Sequence, residues 1–293
     1  MRILRHPRAM RAASRRLRAR GQRIAFVPTM GYLHEGHAAL LRRARRVADR
    51  VVMSIFVNPL QFGPGEDYGA YPRDLAHDLA IARRERADLV YVPPVASMYP
   101  PGYRTRVHVG ELAGRLCGAH RPGHFDGVGT VVLKLLHQVE PDVLLLGQKD
   151  AQQALIIQQL LRDLDLEVRL VVVPTVREPD GLAMSSRNRY LNARERVQAP
   201  AIYAALLAGV AAIAAGERRT AAVRRVIAER LARAPLIQPE YVAVVDTADL
   251  APHDRLPPEA LVAVAARLGR ARLIDNVLVR SGGGRRMRPR HSG

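Results

Sequence analysis

Five short runs of almost unbroken apolar residues punctuate the first part of the chain, at 24–28 (IAFVP), 51–57 (VVMSIFV), 89–92 (LVYV), 143–146 (VLLL) and 168–173 (VRLVVV). Between them, at 37–48, 74–86, 127–138 and 151–164, apolar residues recur at helical spacing. A strand that is apolar on both sides must be covered on both faces, which is the condition of a parallel sheet flanked by helices. The pattern therefore predicts an α/β domain with a Rossmann-like, doubly wound parallel sheet, and places its ligands at the carboxyl ends of the strands. Asp74 reads as a helix N-cap, 106–109 as a short additional strand and 58–72 as a Gly/Pro-rich loop. From about residue 177 the order changes: two helical stretches, 193–215 and 220–234, precede three strands near 241–245, 261–265 and 273–279. Helices followed by strands predict a second, smaller α+β domain. The expected division is 1–176, 177–280 and a tail, 281–293 (SGGGRRMRPRHSG), expected to be disordered.

Composition narrows the partners. The net charge is +19, yet nearly every base is arginine; Lys134 and Lys149 are the only lysines. Arginine spread over a whole chain reads as compositional bias rather than a binding stripe. With no Trp and 4 Phe, a stacking platform for single strands is poorly supplied. Nucleic acid is not expected as the partner. The single cysteine, Cys117, excludes an intrachain disulfide and a cysteine-based zinc site, and suits a reducing, cytoplasmic compartment. The apolar run 201–215 is shorter than the roughly 20 residues needed to cross a bilayer, so it is expected to be a core helix and no membrane partner is predicted. The arginine-rich, acid-free first 34 residues have the composition of a presequence, but Met10, Ala13 and Leu17 fall on one helical face, and a first helix is the preferred reading.

Three segments carry chemistry. TMGYLHEGH (29–37) follows the first long strand and opens a helix, where free N–H groups attract anions. Gly31 and Gly36 allow close backbone approach, and His34 and His37 can donate hydrogen bonds to phosphate oxygens. Taken alone, the two histidines also fit a metal site or an ordinary helix cap, although HEGH lacks the HExxH spacing and no acidic third ligand is at hand. LLLGQKD (144–150) repeats the strand–glycine–helix arrangement. Lys149 can neutralise triphosphate charge there, while Asp150 can orient it, cap the helix or meet a magnesium-bound water. AMSSRNRYL (183–191) offers two serines and Arg187 as phosphate donors. Gln61 and Gln153 can each donate and accept, which suits a substrate bearing hydroxyl and carboxylate. Tyr71, Asp78, His120 and His124 are further possible contacts without an assigned role.

PTMGYLHEGH, SIFVNPLQFG, YPRDLAHDL, RPGHFDGVGTVVLKL, LGQKDAQQ and AMSSRNRYL, in this order and spacing, closely resemble the pantoate–β-alanine ligase family. The first and third chemical segments resemble that family's versions of the HIGH and KMSKS signatures of nucleotidyltransferases. The resemblance covers about residues 1–280. It implies a Rossmann-like N-terminal domain, a C-terminal lid domain and a homodimer. It implies ATP contacts from Met30, Gly31, Tyr32, Leu33, His34, Glu35, Gly36 and His37, from Gly147, Gln148, Lys149 and Asp150, from Val176, and from Met184, Ser185, Ser186 and Arg187. Pantoate is implied at Gln61 and Gln153, with β-alanine also near Gln61. Gln148 departs from the Glu of many members. The implied reaction is ATP-dependent condensation of (R)-pantoate with β-alanine to pantothenate through a pantoyl adenylate, releasing AMP and pyrophosphate. His34, His37, Lys149, Ser186 and Arg187, with Mg²⁺, are expected to stabilise the phosphates, and His37 is a candidate general acid. The alternative is another HIGH-motif nucleotidyltransferase with a different acceptor.

Overall fold

The computed structural model describes residues 1–280; the expectation for the 281–293 tail lies outside them. The chain forms two compact units that divide between Asn192 and Ala193. In chain order the first contains β1 (Arg2–Leu4), α1 (Pro7–Arg18), β2 (Ile24–Thr29), α2 (Glu35–Arg45), β3 (Arg50–Ile55), α3 (Leu75–Arg84), β4 (Leu89–Tyr91), α4 (Val95–Met98), α5 (His124–Val139), β5 (Val143–Gly147), α6 (Ala151–Asp163) and β6 (Arg169–Val173). The second contains α7 (Ala193–Gln198), α8 (Ala201–Ala214), α9 (Thr220–Leu231), β7 (Ile237–Asp246), β8 (Glu259–Leu268) and β9 (Ala271–Arg280).

All pairings in the first unit's sheet are parallel, in the order β1-β4-β3-β2-β5-β6. From β2 the chain winds outward through β3 and β4, then returns to build β5 and β6 on the other side. The winding reverses between β2 and β5, the position at which such sheets open a crevice. Residues 24–27 of β2 are completely buried. Ala25 and Val27 share a cluster with Leu40 and Leu41 of α2 and Ile81 and Ala82 of α3. Alternation then turns Ile24 and Phe26 to the opposite face, where α1 and α5 lie against β2. Each such large side chain removed from water stabilises the sheet by about 1.5–3 kcal/mol.

The first residues form a structural helix, with Met10 and Ala13 buried on its inner face. Strand β1 was not foreseen; its three residues pair with β4 at the sheet edge, too short a run to show a period. The strand expected at 106–109 is absent. There, Val107 N donates to Thr130 Oγ1 at 2.9 Å and Val109 N to Asp126 Oδ1 at 3.0 Å, so side chains of α5 take the bonds a neighbouring strand would have taken. The division between units falls later than the expected 176/177. Residues 177–192 fold back on themselves, with Arg177 bridged to Ala183 and Asn188 Nδ2 donating to Glu178 Oε1 at 2.8 Å. They are also tied to the first unit through Arg187 and Asp67.

In the second unit β8 is the middle strand of an antiparallel β7-β8-β9 sheet, and its residues 260–266 are buried throughout. Helices α8 and α9 pack on each other, α8 on β8 and β9, and α9 on β7. The single helix expected at 193–215 is instead two, because Pro200 has no N–H to continue α7. By length and composition alone the stretch Ala193–Ala214 could cross a membrane. In the fold, Ile202, Ala205, Leu206, Gly209 and Ile213 of α8 are buried, as in a core helix.

Candidate active site

A cleft with about 1260 Å³ of unfilled space, open mouth included, lies within the first unit at the carboxyl ends of β2, β5 and β6. Three of its walls come from the segments that directly follow those strands. Met30 and His34 come from the β2–α2 turn and Gly36 and His37 from the first turn of α2; Gly147 ends β5, Lys149 and Asp150 follow it and Gln153 lies in the first turn of α6; Val176, Met184, Ser185, Ser186 and Arg187 come from the segment after β6. Gln61 and Tyr71, from the loop after β3, line it too, and Val128, Val131, Val132 and Leu135 of α5 supply an apolar wall.

The β2–α2 turn is built by a few short-range rules. Gly31 takes φ +87°, and a Cβ there would stand 2.8 Å from Asp78 Oδ2 and 3.0 Å from Ile55 Cγ2. Only glycine fits both the backbone angle and the space. The buried carboxylate of Asp78 accepts from Tyr32 N at 3.0 Å and Leu33 N at 2.7 Å, which binds the turn to α3. Burial raises the Asp78 pKa, and these two backbone bonds oppose the rise.

His34 is the N-cap of α2, as the helix-cap reading of this motif expects. His34 Nδ1 accepts from Gly36 N at 3.1 Å, and His37 Nδ1 accepts from His34 N at 3.2 Å. A ring nitrogen that accepts a backbone N–H carries no proton, so the proton of each neutral imidazole resides on Nε2. The ring centroids are 4.2 Å apart. Burial, then the nearby Lys149 ammonium, pushes the His34 pKa down to about 4. Burial, then His34 and Lys149, holds His37 well below its ordinary range. The pair therefore offers two uncharged N–H donors rather than imidazolium cations.

Formal positive charge comes from other segments. Lys149 Nζ lies 3.6 Å from Asp150 Oδ1. Arg187 forms a two-point ion pair with Asp67, Nε to Oδ2 at 3.2 Å and Nη2 to Oδ1 at 3.0 Å. Its guanidinium carbon stands 5.8 Å from the centre of the Tyr71 ring. Burial lowers the Arg187 pKa, but the Asp67 bond and charge more than offset this and leave it raised. Ser185 Oγ accepts from Arg187 N at 3.2 Å and Ser186 Oγ lies 3.4 Å from Tyr71 Oη, so both hydroxyls are placed by the fold.

Gln61 sits in the single turn Pro59–Gln61 and is buried. Its backbone carbonyl accepts from His124 Nδ1 at 2.7 Å and Arg121 Nη2 at 3.3 Å. Arg121 Nη1 also faces His124 Nε2 at 3.1 Å. A guanidinium can only donate, so His124 carries its proton on Nδ1; burial, then Arg121, lowers its pKa to about 4. The turn is pressed against α5 at Gly127, where a Cβ would come within 2.2 Å of Leu60 O.

The predicted residues outside the lining are Gly31, Tyr32, Leu33, Glu35 and Gln148. Gly31 and Leu33 shape the turn from behind. The Tyr32 ring lies 4.7 Å below the Arg189 guanidinium, and Glu35 pairs with Arg42. Sequence reasoning missed Asn58, whose amide bonds Gln61, and Asp67. Asn58 had a signal, an Asn directly before Pro as at the start of a capped turn; Asp67 had none. Asp78 and His124, left without a role, prove to be anchors of the two turns, while Tyr71 lines the cleft.

Known proteins share the sequence and the fold over nearly the whole chain. The profile of the family described as pantoate-beta-alanine ligase matches residues 2–278. Pantothenate synthetase of Heliobacterium modesticaldum is 51% identical over 279 residues, covering 95% of this chain and 99% of the relative. That of Geobacillus kaustophilus is 50% identical over 271 residues, covering 92% and 90%. Among solved structures, pantothenate synthetase from Thermus thermophilus superposes with a TM-score of 0.90 at 47% identity, covering 94% of this chain and 99% of that one. Pantoate-beta-alanine ligase from Francisella tularensis, solved in complex with beta-gamma ATP and beta-alanine, gives 0.77 at 34% identity, covering 95% and 97%. In fold and in sequence over nearly its full length, this chain belongs to the pantoate–β-alanine ligase family.

Proposed function

We propose that the cleft condenses (R)-pantoate with β-alanine at the expense of ATP, forming pantothenate, AMP and pyrophosphate by way of a pantoyl adenylate. The observation that carries this reading is the convergence of His34, His37, Lys149, Ser185, Ser186 and Arg187 on one cleft that also holds Gln61 and Gln153. Phosphate-type donors from three segments meet two amides suited to a carboxylate or hydroxyl, Gln153 from one of those segments and Gln61 from a fourth. A nucleotidyltransferase with an unrelated acceptor is not favoured, since the family match runs through the acceptor-side segments as well.

In the first step a carboxylate oxygen of pantoate forms a bond to the α-phosphorus of ATP, and the bond to pyrophosphate breaks. An anion approaches a polyanion, so alignment and charge stabilisation dominate the barrier. The Nε2–H groups of His34 and His37 donate to phosphate oxygens, Lys149 and Arg187 neutralise charge on the departing pyrophosphate, and Ser186 adds a hydroxyl donor. His37 acts as this neutral donor, with Nδ1 accepting from His34 N and the proton on Nε2. Met30, Gly36, Gly147, Val176 and Met184 shape the nucleotide's share of the cleft, while Gly31, Tyr32, Leu33, Glu35 and Gln148 support it from outside the lining. In the second step the β-alanine amine attacks the acyl carbon and AMP leaves. Gln61 and Gln153 hold pantoate, and Gln61 also faces β-alanine. No nucleophile of the protein takes part.

The donor set suits magnesium brought in by the nucleotide. No cluster of three His, Cys, Asp or Glu ligands exists among the described residues, and Asp150 is the carboxylate that reaches the cleft. Magnesium is commonly held by one or two carboxylates plus substrate phosphates. Asp150 would hold it here, and the ion would spread the negative charge of the phosphates. The protein works as a cytoplasmic homodimer, a reading that rests on the family.

Exchange of labelled pyrophosphate into ATP, without β-alanine, tests the adenylate directly. It should require pantoate and fall about 10²-fold in Lys149→Ala, as loss of one preorganised charge contact does. Exchange independent of pantoate, or an unchanged Lys149→Ala rate, would refute the assignment.

A further inference from the structure

Asn58 is buried, and two backbone groups decide which way its amide points. Its Oδ1 accepts from Leu60 N at 3.3 Å and its Nδ2 donates to Gly127 O at 3.0 Å. A backbone N–H cannot accept and a carbonyl cannot donate, so the two ends of this amide cannot be exchanged. Tyr99 Oη lies 2.7 Å from the same Oδ1 and must therefore be the donor. The other Nδ2 hydrogen of Asn58 goes to Gln61 Oε1 at 3.1 Å. Gln61 is then oriented in turn: its oxygen faces Asn58, and its Nε2 lies 3.2 Å from Met30 Sδ, at the wall of the cleft.

We propose that Tyr99 is a positioning residue that holds Asn58, whose orientation the backbone sets, firmly enough to keep the Gln61 amide with its N–H end toward the cleft. Tyr99 does not line the cleft, so it acts through Asn58 and not on substrate. The bond from Leu60 is long, and the short Tyr99 bond is the stronger anchor on the oxygen of Asn58. Its ring is held by Phe56, centroids 6.1 Å apart, and by Tyr103 at 5.0 Å. The Lys134 ammonium lies over both tyrosine rings, at 5.7 Å from Tyr99 and 4.6 Å from Tyr103. Burial raises the Tyr99 pKa above its ordinary value, which keeps the donor proton in place. A thioether is a weak acceptor, so the Gln61 N–H exchanges Met30 for a substrate oxygen at little cost. The relay thus selects an oxygen acceptor, a carboxylate or hydroxyl, at this position and disfavours an ammonium there.

This inference rests on the proposed reading that Gln61 meets pantoate, and the test separates the two. Steady-state kinetics of Tyr99→Phe should show the KM for pantoate raised about tenfold, as loss of one hydrogen bond to a buried amide does, with the KM for ATP moved less than twofold. In an Asn58→Ala background Tyr99→Phe should add no further change, since its route to Gln61 is already cut. A pantoate KM within twofold of wild type, an equal rise for ATP, or an additive double variant would overturn the relay. Wild-type protein that does not use pantoate would instead sink the functional reading. Should Tyr99→Phe fail to fold, side-chain amide exchange in the wild type decides: both Asn58 hydrogens, bonded to Gly127 and Gln61, should exchange slowly, and fast exchange would overturn the proposal.

Discussion

His34, His37 and His124 share one electrostatic design: each is neutral because it is buried beside a cation, and each has its tautomer set by a fixed partner. A histidine that binds a proton more readily when unfolded destabilises the fold as pH falls. The His34 and His124 pKa values lie near 4 when folded against about 6.5 when unfolded. Between those values the unfolded state holds more protons, so stability rises with pH and is complete above about 6.5. Urea midpoints should therefore drop as pH falls from 6.5 to 5, before most carboxylates titrate. His34→Asn, which keeps a capping acceptor without a titrating ring, should flatten that slope; a midpoint that rises on acidification would contradict these assignments. At this scale the sequence was legible where chemistry sits next to a glycine or a strand end, as at His34, His37 and Lys149. It was silent on Asp67 and Arg121 and gave Asp78 no role, because an acid or arginine that anchors a loop from a distant segment looks like any surface charge until the chain is folded.

Among the elements, two strand-to-helix turns, the segment after β6 and the turn at Pro59–Gln61 place the candidate chemistry. The last depends on close approach of α5, where Gly127 leaves room for Leu60 O. Gly127→Ala would put a methyl carbon 2.2 Å from that oxygen and must push the turn away from the helix. Overpacking of this kind costs about 1–3 kcal/mol. The variant should melt lower, and it should lose affinity for pantoate more than for ATP, read by thermal unfolding and by the two KM values. Unchanged pantoate affinity would detach the Gly127 contact from the site. The long strands β2, β3 and β5 were legible from their apolar runs, as were α2, α3, α5 and α6 from their period. Strand β1 was not, being three residues long, and the supposed strand at 106–109 was misread because Thr130 and Asp126 supply its hydrogen bonds. Pro200 was the overlooked mark that splits α7 from α8.

For the whole molecule, the parallel sheet and its reversal between β2 and β5 account for why segments far apart in sequence meet. Each candidate group follows a strand, and the carboxyl ends of β2, β5 and β6 open on one cleft. That the first unit extends to Asn192 rather than 176 matters here, because Ser185, Ser186 and Arg187 then belong to the same unit as the other phosphate donors. The most direct measurement is AMP release from ATP by the purified protein, with pantoate and β-alanine each omitted in turn. AMP should accumulate in step with pantothenate only when both are present, and the rate should collapse in His37→Ala. Sustained AMP release without β-alanine, or a stable nucleotide adduct in place of the amide, would contradict the proposed ligase reaction.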